Sequence, residues 1–270
     1  MKRLGFIGGG NMAEALIHGL LDHGVFKARD LIASDVVAQR RRYLARKYKI
    51  ATTAENREVA DESNALLLAV KPQQIDEVLA VFSSSARTKS KLYISIAAGV
   101  PIAKLARGLG PRARIIRVMP NAPAMVGMGM AALVRGPGAS KSDQAFAMRI
   151  FRAVGDAVLV RDEKLMDVVT ALSGSGPAYV YLFVKALADA AAAEGLPHQL
   201  ATRMALKTVE GAERVMRTSK LTAEELIRMV ASPGGTTEVA LHAFAAAGFS
   251  DIVGAAIHAA SARSRELARS

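Results

Sequence analysis

Six residues near the amino end, Gly8-Gly9-Gly10-Asn11-Met12-Ala13, constrain the fold of this chain more than any other stretch. They follow a short apolar run, LGFI, and open a segment with helical spacing, NMAEALIHGLLDHG. Glycine weakens helices and strands, so three in succession at a strand-to-helix junction point to a backbone path that a side chain would obstruct. The spacing G-x-G-x-x-A in that context fits a turn whose backbone N–H groups and helix N-terminus receive a pyrophosphate, with Gly8, Gly9, Gly10, Asn11 and Met12 as the contact residues. A turn of this kind belongs at the first strand of a parallel sheet, and the residues that follow supply the rest. Apolar runs at 4–8, 31–34, 65–70, 91–97, 114–119, 130–135 and 157–160 alternate with helical patterns, and Pro72 stands where a first helical turn tolerates proline.

Beyond Arg161 the character changes. No comparable strand run remains, and Ala/Leu/Val-rich segments with helical spacing cover about 164–171, 176–194, 198–217, 222–230, 236–246 and 251–267, separated by stops such as Gly195-Leu196-Pro197. The expected fold is α/β: a Rossmann-like dinucleotide-binding domain over residues 1–161, then an all-α domain over 162–270, with VRDEK as the hinge. The segment 177–194 is apolar around most of its circumference, so it is either a core helix surrounded by its own chain or a helix covered by a second copy. We read it as the latter, a homodimer or higher oligomer joined through the C-terminal helices.

Composition narrows the partners. Hydrophobic residues make up 51% and charged residues 22% of the chain, which is globular. Cysteine is absent, which excludes a disulfide framework and a thiolate metal site, and His18, His23, His198, His242 and His258 show no metal-ligand spacing, so no metal is expected. The whole net charge of +12 lies in residues 1–160, where 24 Lys and Arg face 12 Asp and Glu. That excess suits a polyphosphate cofactor; with 5% aromatic residues, no Trp and no recognition motif, nucleic acid is not expected as a partner. The apolar start is interrupted by glycines, Asn11 and Glu14, unlike a signal peptide, and no apolar run is long enough to span a membrane. A cytoplasmic protein without a membrane partner is expected.

The end of the second strand bears on which dinucleotide binds. Asp35 favours a ribose diol and hence NAD(H), whereas Ser34 and the cluster Arg40–Arg42 favour a 2′-phosphate. Because Asp35 follows the strand end instead of occupying it, NADP(H) is the preferred cofactor, with NAD(H) possible as a second. The arginines are otherwise a solvated helix face.

A second glycine-rich stretch, SPGGTTEVAL at 232–241, stands at the start of another helical segment. Two glycines before two threonines there make a site for a small anion, the alternative being a plain helix start capped by threonine. Together with GFIGGGNMA (5–13), LAVKPQ (68–73), SIAAG (95–99), RVMPNAPAMVGMG (117–129) and LSGSGPAY (172–179), this stretch resembles in order and spacing the pyrroline-5-carboxylate reductase family, which catalyses the last step of proline synthesis.

The resemblance implies NAD(P)H-dependent reduction of L-1-pyrroline-5-carboxylate to L-proline. It implies that Ser232, Gly234, Gly235, Thr236 and Thr237 bind the substrate, the backbone N–H groups of Gly234, Gly235, Thr236 and Thr237 cradling its carboxylate and the Thr237 hydroxyl meeting the ring nitrogen as the catalytic contact. It further implies cofactor contacts from Asn56 at the adenosine end, beside the Ser34 read from the strand end, from Ala69, Val70, Lys71 and Pro72, from Ala97, Ala98 and Gly99 beside the nicotinamide ribose, and from Asn121. Ala122 stands where the family often has Thr, so that position receives no side-chain role. Met119, Met125, Met128 and Met130 are read as core or pocket lining.

The nearest rival among enzymes resembles the β-hydroxyacid dehydrogenases, whose G-x-G-x-x-x-K supplies a lysine acid to protonate a ketone oxygen. Counted from Gly174-Ser175-Gly176, the lysine's place is Val180, and the nearest lysine is Lys185. Carbonyl reduction would lack its acid, whereas a protonated imine needs none. A dinucleotide-binding sensor without turnover is the reading from another class, and it would have no use for the second glycine turn.

Overall fold

The computed structural model describes residues 3–83, 91–110 and 112–269. Strands β1 (Leu4–Ile7), β2 (Leu31–Ser34), β3 (Ala51–Thr53), β4 (Ala65–Leu68), β5 (Leu92–Ser95), β6 (Arg114–Met119), β7 (Gly129–Arg135) and β8 (Gly155–Leu159) form one sheet in the order β3-β2-β1-β4-β5-β6-β7-β8. The first six of that order are parallel, β7 is antiparallel to β6, and β8 is parallel to β7. Parallel neighbours need a crossover, and helices α1 (Asn11–Asp22), α2 (Ala38–Tyr48), α3 (Asn56–Glu62), α4 (Ile75–Ser83) and α5 (Ile102–Leu109) provide them. Between β6 and β7 there is only a short 3-10 turn, Ala122–Val126, so the chain must double back. Helix α6 (Lys141–Arg152) then returns it for the parallel β8.

Strands buried on both faces read as unbroken apolar runs, and the period of two then divides their side chains between two cores. Leu4, Phe6, Ala65 and Leu67 pack on one face with Leu16, Ile17 and Leu20 of α1 and Ile150 and Phe151 of α6. Ile7, Leu66 and Leu68 pack on the other with Val59, Ile75, Val78, Phe82, Ile102 and Leu105. Strand β3, three residues with an exposed or half-buried pattern at the sheet edge, has no apolar run to reveal it in the sequence.

The segment expected as one helix at 164–171 is a 3-10 turn, Glu163–Leu165, then α7 (Met166–Val169) and a π turn, Thr170–Gly174. It is tied to the sheet by Arg117 of β6, which is 6% exposed and pairs with Glu163 at 2.8 Å. The same Glu163 oxygen accepts the Ile102 N–H at 2.8 Å, so one carboxylate neutralises a buried guanidinium and satisfies the first amide of α5.

The chain falls into two compact units, one running to Ser175 and taking back the residues from Ala260 onward, the other covering Gly176–Ala259. The second holds α8 (Gly176–Ala193), α9 (His198–Thr218), α10 (Ala223–Val230), α11 (Thr236–Ala246) and most of α12 (Phe249–Arg269). Among its described residues the buried apolar side chains are three alanines, Ala188, Ala201 and Ala205. On α8, Val180, Tyr181, Leu182 and Phe183 are 40–67% exposed, so the reading of this helix as a core element surrounded by its own chain does not hold. No single described helix is long and apolar enough to cross a membrane.

Removing one partner of a buried ion pair leaves a charge without compensation. Glu163→Ala is expected to lower unfolding stability by roughly 3–5 kcal/mol, read by denaturant melts; a loss under about 1 kcal/mol would show that Arg117 finds water or another acceptor.

Candidate functional site

Four parallel strands end level at one sheet edge: Ile7 of β1 stands opposite Ser34 of β2 and Leu68 of β4, and Leu68 opposite Ser95 of β5. The strand order turns back between β1 and β4, and a crevice outside the carboxyl ends at such a switch point is where open α/β sheets take ligands. The loops at 8–10, 69–72 and 96–100 all leave from this edge.

Two of the three glycines are required by the protein itself. Gly8 has φ +96°, and a Cβ there would stand 2.8 Å from the Ala69 carbonyl oxygen, so the turn passes close against the 69–72 loop only as glycine. Gly9 donates its N–H to Asp35 Oδ2 at 3.0 Å, and a Cβ on it would meet Leu44 at 2.8 Å. Gly10 differs: it caps α1 with φ −65°, and an added Cβ would find no protein atom within 4 Å. No side chain caps that helix, whose first N–H groups have no intrahelical acceptor. Open space over uncapped amides fits a pyrophosphate.

At the adenosine end the structure corrects one expectation. Ser34 is fully buried; its hydroxyl reaches the Asn56 side-chain carbonyl at 2.7 Å and the Phe6 carbonyl at 3.3 Å. It therefore orients the half-buried Asn56 from behind and does not itself face a ligand. Asp35 accepts N–H groups on both oxygens, from Gly9 and from Val37 at 2.8 Å, so it knits the glycine turn to the loop after β2. Arg41 donates to the carbonyls of Asp35 and Val36 at 2.7 and 3.0 Å.

Glu14, in the first turn of α1, accepts from Arg40 (2.5 Å), Tyr43 (2.8 Å), Lys47 (3.0 Å) and Tyr48 (2.8 Å). Burial opposes its ionisation, but the hydrogen bonds from Tyr43, Lys47, Tyr48 and Arg40 outweigh it and hold the carboxyl down at about 2 instead of 4.5.

Of the residues expected beside the nicotinamide, Val70 and Pro72 are half-buried, Lys71 is exposed and Ala97 is buried. Gly99, at φ +73°, lies against Leu267 of the returning α12. Asn121 takes up its side-chain amide structurally, donating to the Ser173 carbonyl at 3.1 Å and accepting the Met130 N–H at 2.8 Å. Met125 and Met128 are more than half exposed and are not core.

The second glycine turn is tighter than the sequence suggests. Gly234 has φ +70°, and its N–H is held by the carboxylate of Glu238 at 2.7 Å; the Gly235 N–H is held by the Ser232 carbonyl at 2.9 Å. Of the four amides assigned to an anion, those of Thr236 and Thr237 stand at the start of α11, which no side chain caps. Thr237 is half-buried and its hydroxyl has no partner among the described residues. A Cβ on Gly235 would lie 2.5 Å from Ser232 Oγ, so this glycine is demanded by the turn before any ligand. Lys185 is bound to Asp189 at 2.5 Å. No cluster of metal-binding side chains occurs among the described residues.

Sheet order, open glycine turn and uncapped helix together define a dinucleotide-binding oxidoreductase fold. Residues 3–99 match the family model described as NADP oxidoreductase, coenzyme F420-dependent, and residues 163–267 match the one described as pyrroline-5-carboxylate reductase dimerisation. A pyrroline-5-carboxylate reductase from Synechocystis sp. is 41% identical, with 99% of this chain and 98% of the relative aligned. The chain belongs to the pyrroline-5-carboxylate reductase family. The solved family member from Coxiella burnetii superposes with a TM-score of 0.91 at 33% identity, covering 100% of this chain and 99% of that one. A Plasmodium falciparum pyrroline carboxylate reductase solved with NADP bound gives 0.89 at 32% identity, over 99% and 98% of the two chains.

Because a Cβ added to Gly10 meets nothing within 4 Å among the described residues, Gly10→Val is expected to leave the melting temperature near wild type, within the ~0.5–2 kcal/mol of an altered N-cap, while weakening cofactor binding at least tenfold. Unchanged affinity by calorimetry would remove this turn from the site. Glu14 supplies a separate check: its carboxyl is depressed by folding, so its stabilisation is complete above pH 4.5 and is lost as pH falls toward about 2. Glu14→Gln should flatten that part of the acid unfolding curve; an identical slope would mean the cluster does not form.

Proposed function

We propose that the two glycine turns divide the reaction between them, Gly8–Gly10 holding the cofactor pyrophosphate and 234–237 holding the substrate carboxylate. The chain is a pyrroline-5-carboxylate reductase, an NAD(P)H-dependent enzyme that reduces L-1-pyrroline-5-carboxylate to L-proline, the last step of proline synthesis. Bound cofactor supplies the hydride that adds to the C=N carbon. The protonated imine already carries the proton that its nitrogen keeps, so no acid side chain is required, in accord with Val180 standing where a lysine acid would.

The observation that carries the division of labour is the pair of uncapped helix starts: α1 behind Gly10 and α11 behind Gly235 each begin without a capping side chain among the described residues. At the second turn the amides of Thr236 and Thr237 meet the carboxylate, and the Thr237 hydroxyl oxygen accepts the ring N–H. Gly234, Gly235 and Ser232 shape this turn, and the Glu238 carboxylate on the Gly234 amide yields to the substrate's. At the first turn Asn56 meets the adenosine end, and 69–72 and 97–99 line the nicotinamide side.

NADPH is the preferred cofactor, supported by the basic first part of the chain and by the NADP-bound relative, with NADH as the second. The assembly is a homodimer or a larger oligomer. Its support is the open apolar surface of α8 and α9 over a unit whose buried apolar residues are three alanines, too little to hold that unit together alone. The proposed setting is the cytoplasm.

Thr237→Ala removes one hydrogen bond to a charged group, so kcat/KM for the imine should fall about ten- to a hundredfold, roughly 1.5–3 kcal/mol, with NADPH affinity unchanged. Wild-type turnover would refute the role of this threonine, and lost NADPH binding would assign the turn to the other ligand. Light scattering of the dilute protein should give a dimer or larger; a fully active monomer would contradict the assembly.

A further inference from the structure

Of the arginine cluster after β2, Arg41 holds the carbonyls of Asp35 and Val36, and Arg40 reaches the first glycine turn. Arg40, in the first turn of α2, donates Nε to the Gly9 carbonyl and Nη2 to the Gly10 carbonyl at 3.3 Å and to Glu14 at 2.5 Å. Its guanidinium carbon stands 5.1 Å from the Tyr43 ring centre. Three of its five N–H groups are thus engaged, and those on Nη1 have no partner among the described residues.

A trans peptide points its C=O and N–H in opposite directions. A guanidinium that holds the Gly9 carbonyl on the α2 side turns the Gly10 N–H the other way. The Gly10 carbonyl, which accepts the Glu14 N–H at 2.9 Å, takes Arg40 as a second donor at 3.3 Å, and the N–H of Asn11 is turned the same way. A Cβ added to Gly10, between these two amides, would meet no described atom within 4 Å. A planar fork can hold two neighbouring carbonyls at once, as an ammonium point charge does not, and Glu14 fixes the fork from behind. Glu14 is itself held by Tyr43, Lys47 and Tyr48, so the last turns of α2 anchor the arrangement.

From this geometry we propose that Arg40, backed by Glu14, is a positioning residue of the cofactor turn: it aims the Gly10 and Asn11 amides at the pyrophosphate and does not read the 2′-phosphate. The inference rests on the dinucleotide reading of Gly8–Gly10. It makes Arg40 matter equally to both nicotinamide cofactors, because both carry the same pyrophosphate. A direct contact to the 2′-phosphate would matter to NADPH alone.

The test is equilibrium binding of NADPH and of NADH to the full-length chain, by calorimetry, for wild type, Arg40→Met, Arg40→Lys, Glu14→Gln and Gly10→Val, with each fold checked by circular dichroism. Arg40→Met should weaken both cofactors by the same factor, about tenfold. The KM for pyrroline-5-carboxylate at saturating cofactor should stay unchanged. Arg40→Lys should recover only part of the loss, since it restores the charge without the fork. If Arg40→Met does not fold, Glu14→Gln carries the test: a smaller, equal loss for both cofactors supports the proposal. A loss confined to NADPH, or none for either cofactor, overturns it in either variant. Gly10→Val separates the two levels: if it leaves both affinities intact, the dinucleotide reading fails and the inference with it. If it weakens both while Arg40→Met is neutral, only the inference fails.

Discussion

The constraint on which the first unit depends is the level ending of β2, β1, β4 and β5 at the point where the strand order reverses. Ser34, Ile7, Leu68 and Ser95 stand side by side there, so the loops that follow are brought together by backbone register before any side chain contributes. A shift of one residue in any pairing would turn that strand's core residues to the opposite face and withdraw its loop. The two apolar cores therefore do more than stabilise the sheet. By fixing which residues of β1 and β4 face which side, they fix where Gly8 meets Ala69.

Around that edge, polar groups are engaged in holding the loops, which explains why several residues that look like ligand contacts are supports. Ser34 holds Asn56, Asp35 holds the Gly9 and Val37 amides, and Asn121 joins the Ser173 carbonyl to the Met130 amide. What remains open is backbone, a sound way to bind phosphate and carboxylate, because amides at a helix start are oriented in advance and cost little to order on binding. The second unit follows another logic. Its helices carry large apolar side chains outward over a few buried alanines, and residues 163–267 match the model described as pyrroline-5-carboxylate reductase dimerisation.

Much of this was legible in the sequence, and what was not has physical reasons. The glycine turn, the strands β1, β2, β4 and β6, and helices α8 to α11 could be read because each depends on residues near one another in the chain. Strand β3 could not, since ATT at a sheet edge buries nothing and has no alternation to detect. The π turn at 170–174 leaves no mark in a periodic pattern built on 3.6 residues. The roles of Ser34 and Asn121 depend on partners 22 and 52 residues away, and that of Arg40 on glycines about 30 residues earlier. Arg40 therefore reads in the sequence as one more basic residue on a solvated helix. At 232–237 the composition rightly marks a glycine turn, but only the coordinates show that Glu238 and the Ser232 carbonyl already hold two of its four amides.

The central claim is that this chain passes hydride from bound NADPH to a cyclic imino acid, the first glycine turn being proposed for the one ligand and the second for the other. Its most direct test is a single stoichiometric measurement: NADPH oxidation followed by absorbance with L-1-pyrroline-5-carboxylate added, and L-proline quantified in the same reaction. The account predicts one proline formed for each NADPH consumed and no consumption without the imine. Binding of both ligands without proline formation, or NADPH oxidation that is independent of the imine, would contradict it.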